Sequence, residues 1–462
     1  MTLAAAAEVT YQTVPLPQQI AIDPSGKQAL LIKGQAVTYP AGNDKMKSTA
    51  ALAGEYLSLT PQVAGKKAVP GVQLSLGLKS ENPEAYLITV DKKGIRIQGA
   101  SESGVFYGVQ TLRKSVMEEK GDTIRLPYAT VSDEPRFGYR GTMLDCARHF
   151  FPVSFVKEFI DILALHGVNR FHWHLTDDQG WRFEVKSLPE LAVKGSVRPC
   201  TVVGKNIGVG NAAGAIYDDT PETGYYTQEE MKEIVRYAEE RFITIVPEID
   251  LPGHMIAALS VYPELGCTGG PYNVWCRWGI AQDVLCAGNP KTLDFLHKVM
   301  DEVCEVFPGK LIHIGGDESP RNRWKACPKC QKKMKELGLK KEAELQTYIN
   351  KDMEAYLAAK GREIIGWDET LEGGLSEKAS VMSWRGYKGG IEAARQHHHV
   401  VMSPTNHCYI DYYQLKNHDA QPLAIGGYLP VSTVYSMEPV PAELTEEEGK
   451  FIVGAQCNLW TE

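Results

Sequence analysis

The chain has 462 residues, of which 43% are hydrophobic, 23% charged and 9% aromatic. This composition is typical of a globular protein and excludes a largely disordered, collagen-like or coiled-coil chain. Its 49 basic and 57 acidic residues give a formal charge of -8 without a long basic run, so neither nucleic acid nor a membrane surface is an expected partner. No apolar stretch approaches the roughly 20 residues that span a bilayer.

The first eight residues resemble the end of a secretory signal, because four alanines at positions 4–7 offer small residues at a cleavage site. A flexible start to the chain explains the same residues equally well. On the first interpretation we expect a secreted or periplasmic location.

Residues 8–133 are predicted to form a small α+β domain. Alternating apolar residues at 85–90 and 94–99 predict two strands around a turn at 91–93, and helical apolar spacing follows over 103–116. Strands followed by a helix favour an α+β arrangement. Catalytic residue types do not cluster here, so we expect a non-catalytic domain.

Residues 134–462 alternate between strand and helix patterns. Four clear helices are predicted at 155–166, 227–240, 292–306 and 342–359. Eight short apolar strands are predicted: Arg140–Leu144, Val168–Leu175, Phe242–Ile249, Lys310–Ile314, Glu363–Trp367, Ser380–Trp384, Val400–Ser403 and Ile452–Leu459. This pattern predicts a (β/α)8 TIM barrel of the α/β class. A doubly wound open sheet is the rival, but the glycine fingerprint expected after its first strand is absent.

Carboxylates and tryptophans follow the predicted strands. Catalytic groups of a barrel lie at the C-terminal ends of its strands, where the loops converge on one pocket. Trp367, Trp384 and Trp460 stand at three such ends, each with an acid close by. Aromatic faces stack on sugar rings and carboxylates bind their hydroxyls, so the pattern favours a carbohydrate site.

The strongest local signal is Gly315-Gly316-Asp317-Glu318, after the fourth predicted strand. Two carboxyl groups in one apolar cleft have divergent pKa values, which supplies the acid and the carboxylate that glycosidic cleavage needs. We expect burial and the charge of Asp317 to raise the pKa of Glu318, while Asp317 stays ionised. We expect His254 to pair with Asp250, four residues earlier, as an Asp–His pair that relays a proton or tunes a neighbouring acid.

Metal binding is the competing interpretation for His254 and the acids. The HExxH motif is absent, and no second histidine lies at ligand spacing, so no metal and no cofactor are predicted. Cys327 and Cys330 have the spacing of a zinc knuckle, but no further pair follows at metal-site distance. A local structural role is therefore favoured for them over a metal.

Four motifs in this order resemble glycoside hydrolase family 20, the exo-acting β-N-acetylhexosaminidases. The motifs are Arg140–Phe150 (RGTMLDCARHF), His172–Asp178 (HWHLTDD), Pro252–His254 (PGH) and His313–Glu318 (HIGGDE). The resemblance covers residues 137–462, and the 8–133 segment is similar to the domain that precedes the barrel in that family. It implies a retaining mechanism in which the substrate's own 2-acetamido oxygen is the nucleophile.

The resemblance also implies roles for individual residues. Glu318 would be the general acid/base, Asp317 would polarise the acetamido group, and Tyr409 would hydrogen-bond its oxygen. The remaining assignments are Trp367, Trp384 and Trp460 around the acetamido methyl and the ring, Arg140, Asp411 and Glu462 on the ring hydroxyls, and Asp177 and His254 as supports with Asp250 behind His254.

We therefore expect hydrolysis of terminal β-linked GlcNAc or GalNAc, from an N-acetylhexosamine-terminated glycan or a chitooligosaccharide. The alternatives are an inactive sugar-binding module on the same fold, which the presence of both acids disfavours, and a metal-dependent barrel hydrolase. The chain stops directly after the eighth predicted strand, so a barrel truncated at its C-terminus is expected.

Overall fold

The computed structural model describes residues 10–67, 69–116, 121–204 and 215–462. The leader-like residues 1–8 lie outside this part of the chain, and the expected secreted or periplasmic location stays a prediction. The chain divides into two compact units. The larger comprises Tyr139–Val156, Arg170–Val235 and Thr244–Glu462, and the smaller comprises the other residues.

The smaller unit contains a seven-stranded mixed sheet, which confirms the predicted α+β class. The two strands predicted at 85–90 and 94–99 pair antiparallel, with Ile88 opposite Ile97 in the buried interior. Its helices are Asp44–Leu57 and Glu102–Val116, and the strands Gln28–Ile32 and Thr123–Pro127 form a separate antiparallel pair. The sheet order is Gln19–Ile22, Ala129–Asp133, Tyr86–Asp91, Gly94–Gly99, Gly71–Leu76, Ala36–Tyr39 and Thr60–Val63.

The larger unit is built on a closed barrel of eight parallel strands, as predicted. The first seven strands are mostly buried, because one face packs inside the barrel and the other under the helices, and the eighth alternates buried and half-buried residues. In barrel order the strands are Tyr139–Asp145, Arg170–His174, Thr244–Glu248, Leu311–His313, Glu363–Trp367, Ser380–Ser383, Val400–Met402 and Ile452–Leu459.

The predicted helices begin and end within about two residues of their observed bounds. The capping box opening the second of them is present: Thr227 N donates to Glu230 Oε2 at 2.8 Å, and Glu230 N donates to Thr227 Oγ1 at 3.2 Å. The α-helices of the barrel segment are Val153–Leu165, Pro189–Gly195, Gln228–Glu239, Ile256–Val261, Pro290–Val306, Asn322–Ala326, Pro328–Leu337, Ala343–Ala358, Lys388–Arg395, Thr405–Cys408, Val431–Tyr435 and Glu446–Gly449. The short 3-10 turns are Pro263–Leu265, Asp368–Leu371 and His418–Ala420, and Thr176–Asp177 pairs with Gly180–Trp181.

Polar side chains cross the interior of the barrel in one hydrogen-bonded chain. The Tyr139 hydroxyl donates to Gln456 Oε1 at 2.8 Å, and Gln456 Nε2 donates to His172 Nδ1 at 2.8 Å. His172 Nε2 in turn lies 2.9 Å from Glu248 Oε2. The chain thus joins the first, eighth, second and third strands below the loops that carry the site.

None of the helices in the described ranges has the length and apolar character that crossing a bilayer requires.

Candidate functional site

A pocket of about 280 Å³ opens at the C-terminal ends of the barrel strands. The structure brings eight of the predicted site residues to its wall: Asp317, Glu318, Trp367, Trp384, Tyr409, Asp411, Trp460 and Glu462. The other lining residues are Arg148, Gly279, Ile280, Tyr412 and Ile425. Acids, aromatic rings and one arginine therefore meet where the strand-end rule predicts.

Arg140 does not lie at this pocket, and its predicted role in binding ring hydroxyls is wrong on structural grounds. It is the second residue of the first barrel strand, whereas the pocket lies beyond the last residue, Asp145. Five residues of strand separate the two by about 16 Å. The arginine that lines the pocket is Arg148, which follows the C-terminal end of the same strand.

Arg148 is buried among three carboxylates. Its guanidinium contacts Asp177 Oδ2 at 2.8 Å, Asp145 Oδ2 at 3.2 Å and Glu462 Oε1 at 3.7 Å. It also lies over the ring of Trp460, 5.0 Å from the centroid. Burial alone would lower the pKa of Arg148, but these carboxylates raise it, so the guanidinium stays charged. Arg148 therefore links the floor of the site to Glu462 at its wall.

The loop carrying Asp317 and Glu318 turns through two glycines with positive φ, 61° at Gly315 and 99° at Gly316. A Cβ on Gly315 would lie 1.8 Å from the Oδ1 atom of Asp250, so only glycine fits there. Glu318 itself has a φ of 42°, and His254 has a φ of 50°. Backbone strain at two non-glycine residues facing one pocket is typical of a functional site.

Glu318, which was predicted to be buried, is the more exposed of the two acids. The side chain of Glu318 is 36% exposed, and that of Asp317 only 14%. Burial, together with the negative charges of Glu318 and Glu248, raises the pKa of Asp317. The predicted burial of Glu318 is therefore wrong, because Asp317 points inward and Glu318 points toward solvent.

His254 pairs with Asp177 and not, as predicted, with Asp250. Its Nδ1 lies 3.0 Å from Asp177 Oδ1, and its Nε2 lies 3.7 Å from one carboxylate oxygen each of Asp317 and Glu318. Although burial opposes it, Asp177 raises the pKa of His254 well above its usual value. A buried imidazolium therefore faces both acids.

Asp250 forms a pair with Asp317 instead. Its Oδ1 accepts a hydrogen bond from Gly316 N at 2.9 Å, and its carboxylate lies within 4.8 Å of donor atoms of both Asp317 and His254. Burial and the charge of Asp317 raise the pKa of Asp250 well above its usual value. Two adjoining buried carboxyl groups of this kind disfavour each other's ionisation.

Carboxylates hold two of the pocket tryptophans. Trp367 Nε1 donates to Glu248 Oε1 at 2.9 Å, and Trp384 Nε1 donates to Glu369 Oε2 at 2.8 Å. Burial and the charge of Asp317 raise the pKa of Glu369 to about 8. The indole planes are thus fixed before any ligand arrives. Trp460 lies 5.9 Å from Trp367, measured between ring centroids.

Several buried polar atoms at the pocket make no hydrogen bond to the described residues. They include both carboxylate oxygens of Asp411 and Nε1 of Trp460. Burial raises the pKa of Asp411 to about 7 and that of Tyr409 well above its usual value. Because unpaired buried polar groups are costly, these atoms are available to hydrogen-bond a polar ligand.

Three groups of acids and histidines near the pocket have donor atoms close enough for a metal ion: His172, Glu248 and His313; Asp177, Asp178 and His254; and Asp250, His254 and Asp317. In the first two, direct contacts between the members, such as His172 with Glu248 and His254 with Asp177, already use the donor atoms. The third is the carboxyl pair beside the imidazolium described above.

The sequence missed Arg148, Glu248 and Glu369 as functional residues. Arg148 could have been found, because it follows the first strand as the acids follow the others. Glu248 and Glu369 act through the tryptophans they hold, and no local pattern reveals such long-range contacts. Together the site offers an exposed acid, an inward carboxylate, an imidazolium and an aromatic wall, which suits acid/base cleavage of a sugar bond.

Residues 137–462 match the glycosyl hydrolase family 20 catalytic domain, and residues 10–134 match domain 2 of that family. The chain belongs to glycosyl hydrolase family 20. It is 44% identical to a β-hexosaminidase of Porphyromonas gingivalis over 426 residues, which cover 91% of the chain and 52% of that protein. The chain thus spans about half the length of this relative.

Solved structures of similar proteins have the same fold. A mutant Streptomyces plicatus β-hexosaminidase in complex with product (GlcNAc) is 28% identical, with a TM-score of 0.82 over 99% of this chain and 87% of that one. A family 20 exo-β-N-acetylglucosaminidase of Vibrio harveyi in complex with N-acetylglucosamine is 31% identical, with a TM-score of 0.81 over 100% and 71% of the two chains.

We predict that His254 stays protonated well above pH 6.5 and that Asp177→Asn lowers its pKa, because the variant removes the carboxylate that stabilises the imidazolium. The ¹⁵N shifts of labelled histidines measure this, and the signal lost in His254→Gln assigns the residue. Asp352→Asn is the matched control, since Asp352 pairs with His297 at 2.6 Å. An unchanged His254 titration in Asp177→Asn would contradict the assigned pair.

Proposed function

We propose that this family 20 chain is an exo-β-N-acetylhexosaminidase that retains the β configuration and uses the substrate's 2-acetamido oxygen as the nucleophile. The observation that carries the proposal is the placement of Asp317 and Glu318 in one pocket walled by three tryptophans. Its substrates would be glycans or chitooligosaccharides ending in a β-linked N-acetylhexosamine. Residues 8–133 would form the non-catalytic domain and residues 134–462 the catalytic one.

Glu318 is the general acid/base of the proposed reaction. Its partly exposed carboxyl group can reach a glycosidic oxygen at the mouth of the pocket, protonate it, and then activate the water that enters. The charged His254 lies 3.7 Å away and stabilises the carboxylate that proton transfer leaves behind.

Asp317 positions and stabilises the acetamido group. If Asp250 holds the proton of the pair, Asp317 remains a carboxylate that accepts the acetamido N–H and balances the positive charge of the cyclic intermediate. One oxygen of each carboxyl group, Asp250 Oδ2 and Asp317 Oδ1, is buried without a hydrogen-bond partner among the described residues. A proton shared by these two groups supplies the missing bond.

The aromatic residues hold the nucleophile in place. Trp367, Trp384 and Trp460 would enclose the acetamido methyl, and the Tyr409 hydroxyl would donate to the acetamido oxygen. Tyr409 stacks on Trp384 with ring centroids 6.2 Å apart, which limits its motion. A fixed near-attack geometry of this kind gives intramolecular reactions a large effective molarity.

Arg148, Asp411 and Glu462 would bind the ring hydroxyls at positions 3, 4 and 6. We assign the arginine role to Arg148 because it lines the pocket and contacts Glu462. A sugar whose hydroxyls are held in this way has no room for a further residue at position 4. Cleavage would therefore be exo.

We predict that Glu318→Gln slows substrates with poor leaving groups most, because good leaving groups need little protonation. Asp317→Asn should slow every substrate alike, on the order of 10² to 10³-fold, because each must form the same cyclic intermediate. Rates on aryl β-glycosides of graded leaving-group acidity measure both effects. Equal slopes for the two variants would contradict this division of roles.

We predict that the first sugar released is the β anomer, because two inversions occur at one carbon. Proton NMR of the early product measures this. A substrate with a plain 2-hydroxyl should not turn over, since it lacks the carbonyl oxygen that attacks. An initial α anomer, rapid turnover of the 2-hydroxyl substrate, or binding without any hydrolysis would each overturn the proposed function.

We predict that Arg148→Lys lowers kcat/KM roughly ten- to a hundredfold, since lysine keeps the charge but loses the guanidinium geometry that binds paired oxygens. Arg140→Lys, near the start of the strand that Arg148 follows, is the matched control and should leave kcat/KM within about twofold. Steady-state kinetics of both folded variants provide the comparison. If the Arg140 variant were the impaired one, the assignment of Arg148 would be wrong.

A further inference from the structure

Four cysteines from three separate segments of the barrel unit converge on one point. Cys267 follows the 3-10 turn Pro263–Leu265, Cys286 precedes the helix Pro290–Val306, and Cys327 and Cys330 begin the helix Pro328–Leu337. All four Sγ atoms lie within 4.8 Å of one another. The sequence did not reveal the partners of Cys327 and Cys330, because those partners lie 41 to 63 residues upstream.

The separations between the sulfur atoms match a tetrahedral metal centre. Cys267 and Cys330 are 3.8 Å apart, Cys286 and Cys327 are 3.7 Å apart, and Cys286 and Cys330 are 3.6 Å apart. Four sulfurs at 2.3 Å from a central zinc ion are separated by about 3.8 Å. Three of the six separations therefore already have the length expected in a filled site, and the others are at most 4.8 Å.

The contact pattern disfavours two disulfides. Cys286 has two sulfur neighbours at nearly equal distance, Cys327 and Cys330, and Cys330 in turn has two, Cys286 and Cys267. Disulfides would divide the four sulfurs into two pairs bonded at about 2.05 Å. A shared central ion instead brings all four together without pairing them.

The surrounding backbone is arranged around the cluster. Cys286 N donates to Leu265 O at 2.8 Å, which holds two of the cysteine-bearing segments together. A Cβ on Gly288 would lie 2.2 Å from the carbonyl carbon of Lys329, so glycine is required where this loop meets the Cys327–Cys330 turn. These contacts fix the segments independently of the sulfur atoms.

Two of the four cysteines lie at the N-terminus of a helix. Cys327 is the N-cap of a ten-residue helix, and Cys330 lies in its first turn, where the helix dipole stabilises negative charge. Cys286, Cys327 and Cys330 are at most 4% exposed, so a bound ion would be shielded from water.

We propose that Cys267, Cys286, Cys327 and Cys330 form a structural zinc site. On binding, each thiol releases its proton and forms one S–Zn bond, so that Zn²⁺ with four thiolates has a net charge of -2. With four protein ligands the ion has no open position, which excludes a role in activating water.

The site joins two loops that supply the pocket. Gly279 and Ile280 of the pocket wall lie between Cys267 and Cys286, and Glu318 lies in the segment between the fourth strand and Cys327. Zinc would therefore stabilise the loops that border the candidate active site without contacting a substrate.

Elemental mass spectrometry of the purified full chain measures its zinc content and tests the proposal. We expect one zinc per chain, none in the Cys327→Ser/Cys330→Ser double variant, and one in the control Cys304→Ser, whose cysteine lies outside the cluster. The double variant should also melt at a lower temperature than the control.

A measurement on the unmodified protein keeps the test valid if the double variant does not fold. X-ray absorption at the zinc edge should show four sulfur atoms at about 2.3 Å. When the protein is treated with a chelator and denatured without reductant, all four cysteines should be free thiols that react with an alkylating agent. Two disulfides among them, iron in place of zinc, or nitrogen and oxygen ligands in the spectrum would each overturn the proposal.

Discussion

The carboxylate of Glu248, at the C-terminal end of the third barrel strand, is the contact on which the site depends. It is fully buried, and it is approached by His172 and His174 from the second strand, His313 from the fourth and Trp367 from the fifth. Although burial opposes it, these histidines lower the pKa of Glu248 well below its usual value. One ionised group thereby aligns four neighbouring strands directly beneath the pocket.

A path of contacting charged groups leads from Glu248 to Asp317 and Glu318. His174 contacts Glu248 through one ring nitrogen and Asp177 through the other, the latter at 2.9 Å. Asp177 contacts His254, which faces Asp317 and Glu318. Negative and positive groups alternate along this path, so each buried charge has an opposite neighbour. Breaking one member would leave a buried charge unpaired, which typically costs several kcal/mol.

The eight strands and the residues at their ends could be predicted from the sequence, because short apolar runs alternate with amphipathic helices and catalytic acids follow such runs. Arg140 was misplaced because it begins a motif whose other arginine, Arg148, lies past the strand's other end and lines the pocket. Asp250 and His254 have helical spacing but lie in a loop, so their partners come from other strands. The gathering of four cysteines could not be predicted, because it arises only from tertiary contacts between distant segments.

Glu318 adopts a left-handed backbone conformation that favours glycine. The rest of the fold holds Glu318 in this conformation, although glutamate itself disfavours it. The position therefore lowers the stability of the fold in exchange for the activity proposed for Glu318. Selection for thermal resistance alone would favour glycine at this position, and a library screened only for folding would tend to discard Glu318, the proposed general acid. Any effort to stabilise this scaffold therefore has to select for turnover at the same time.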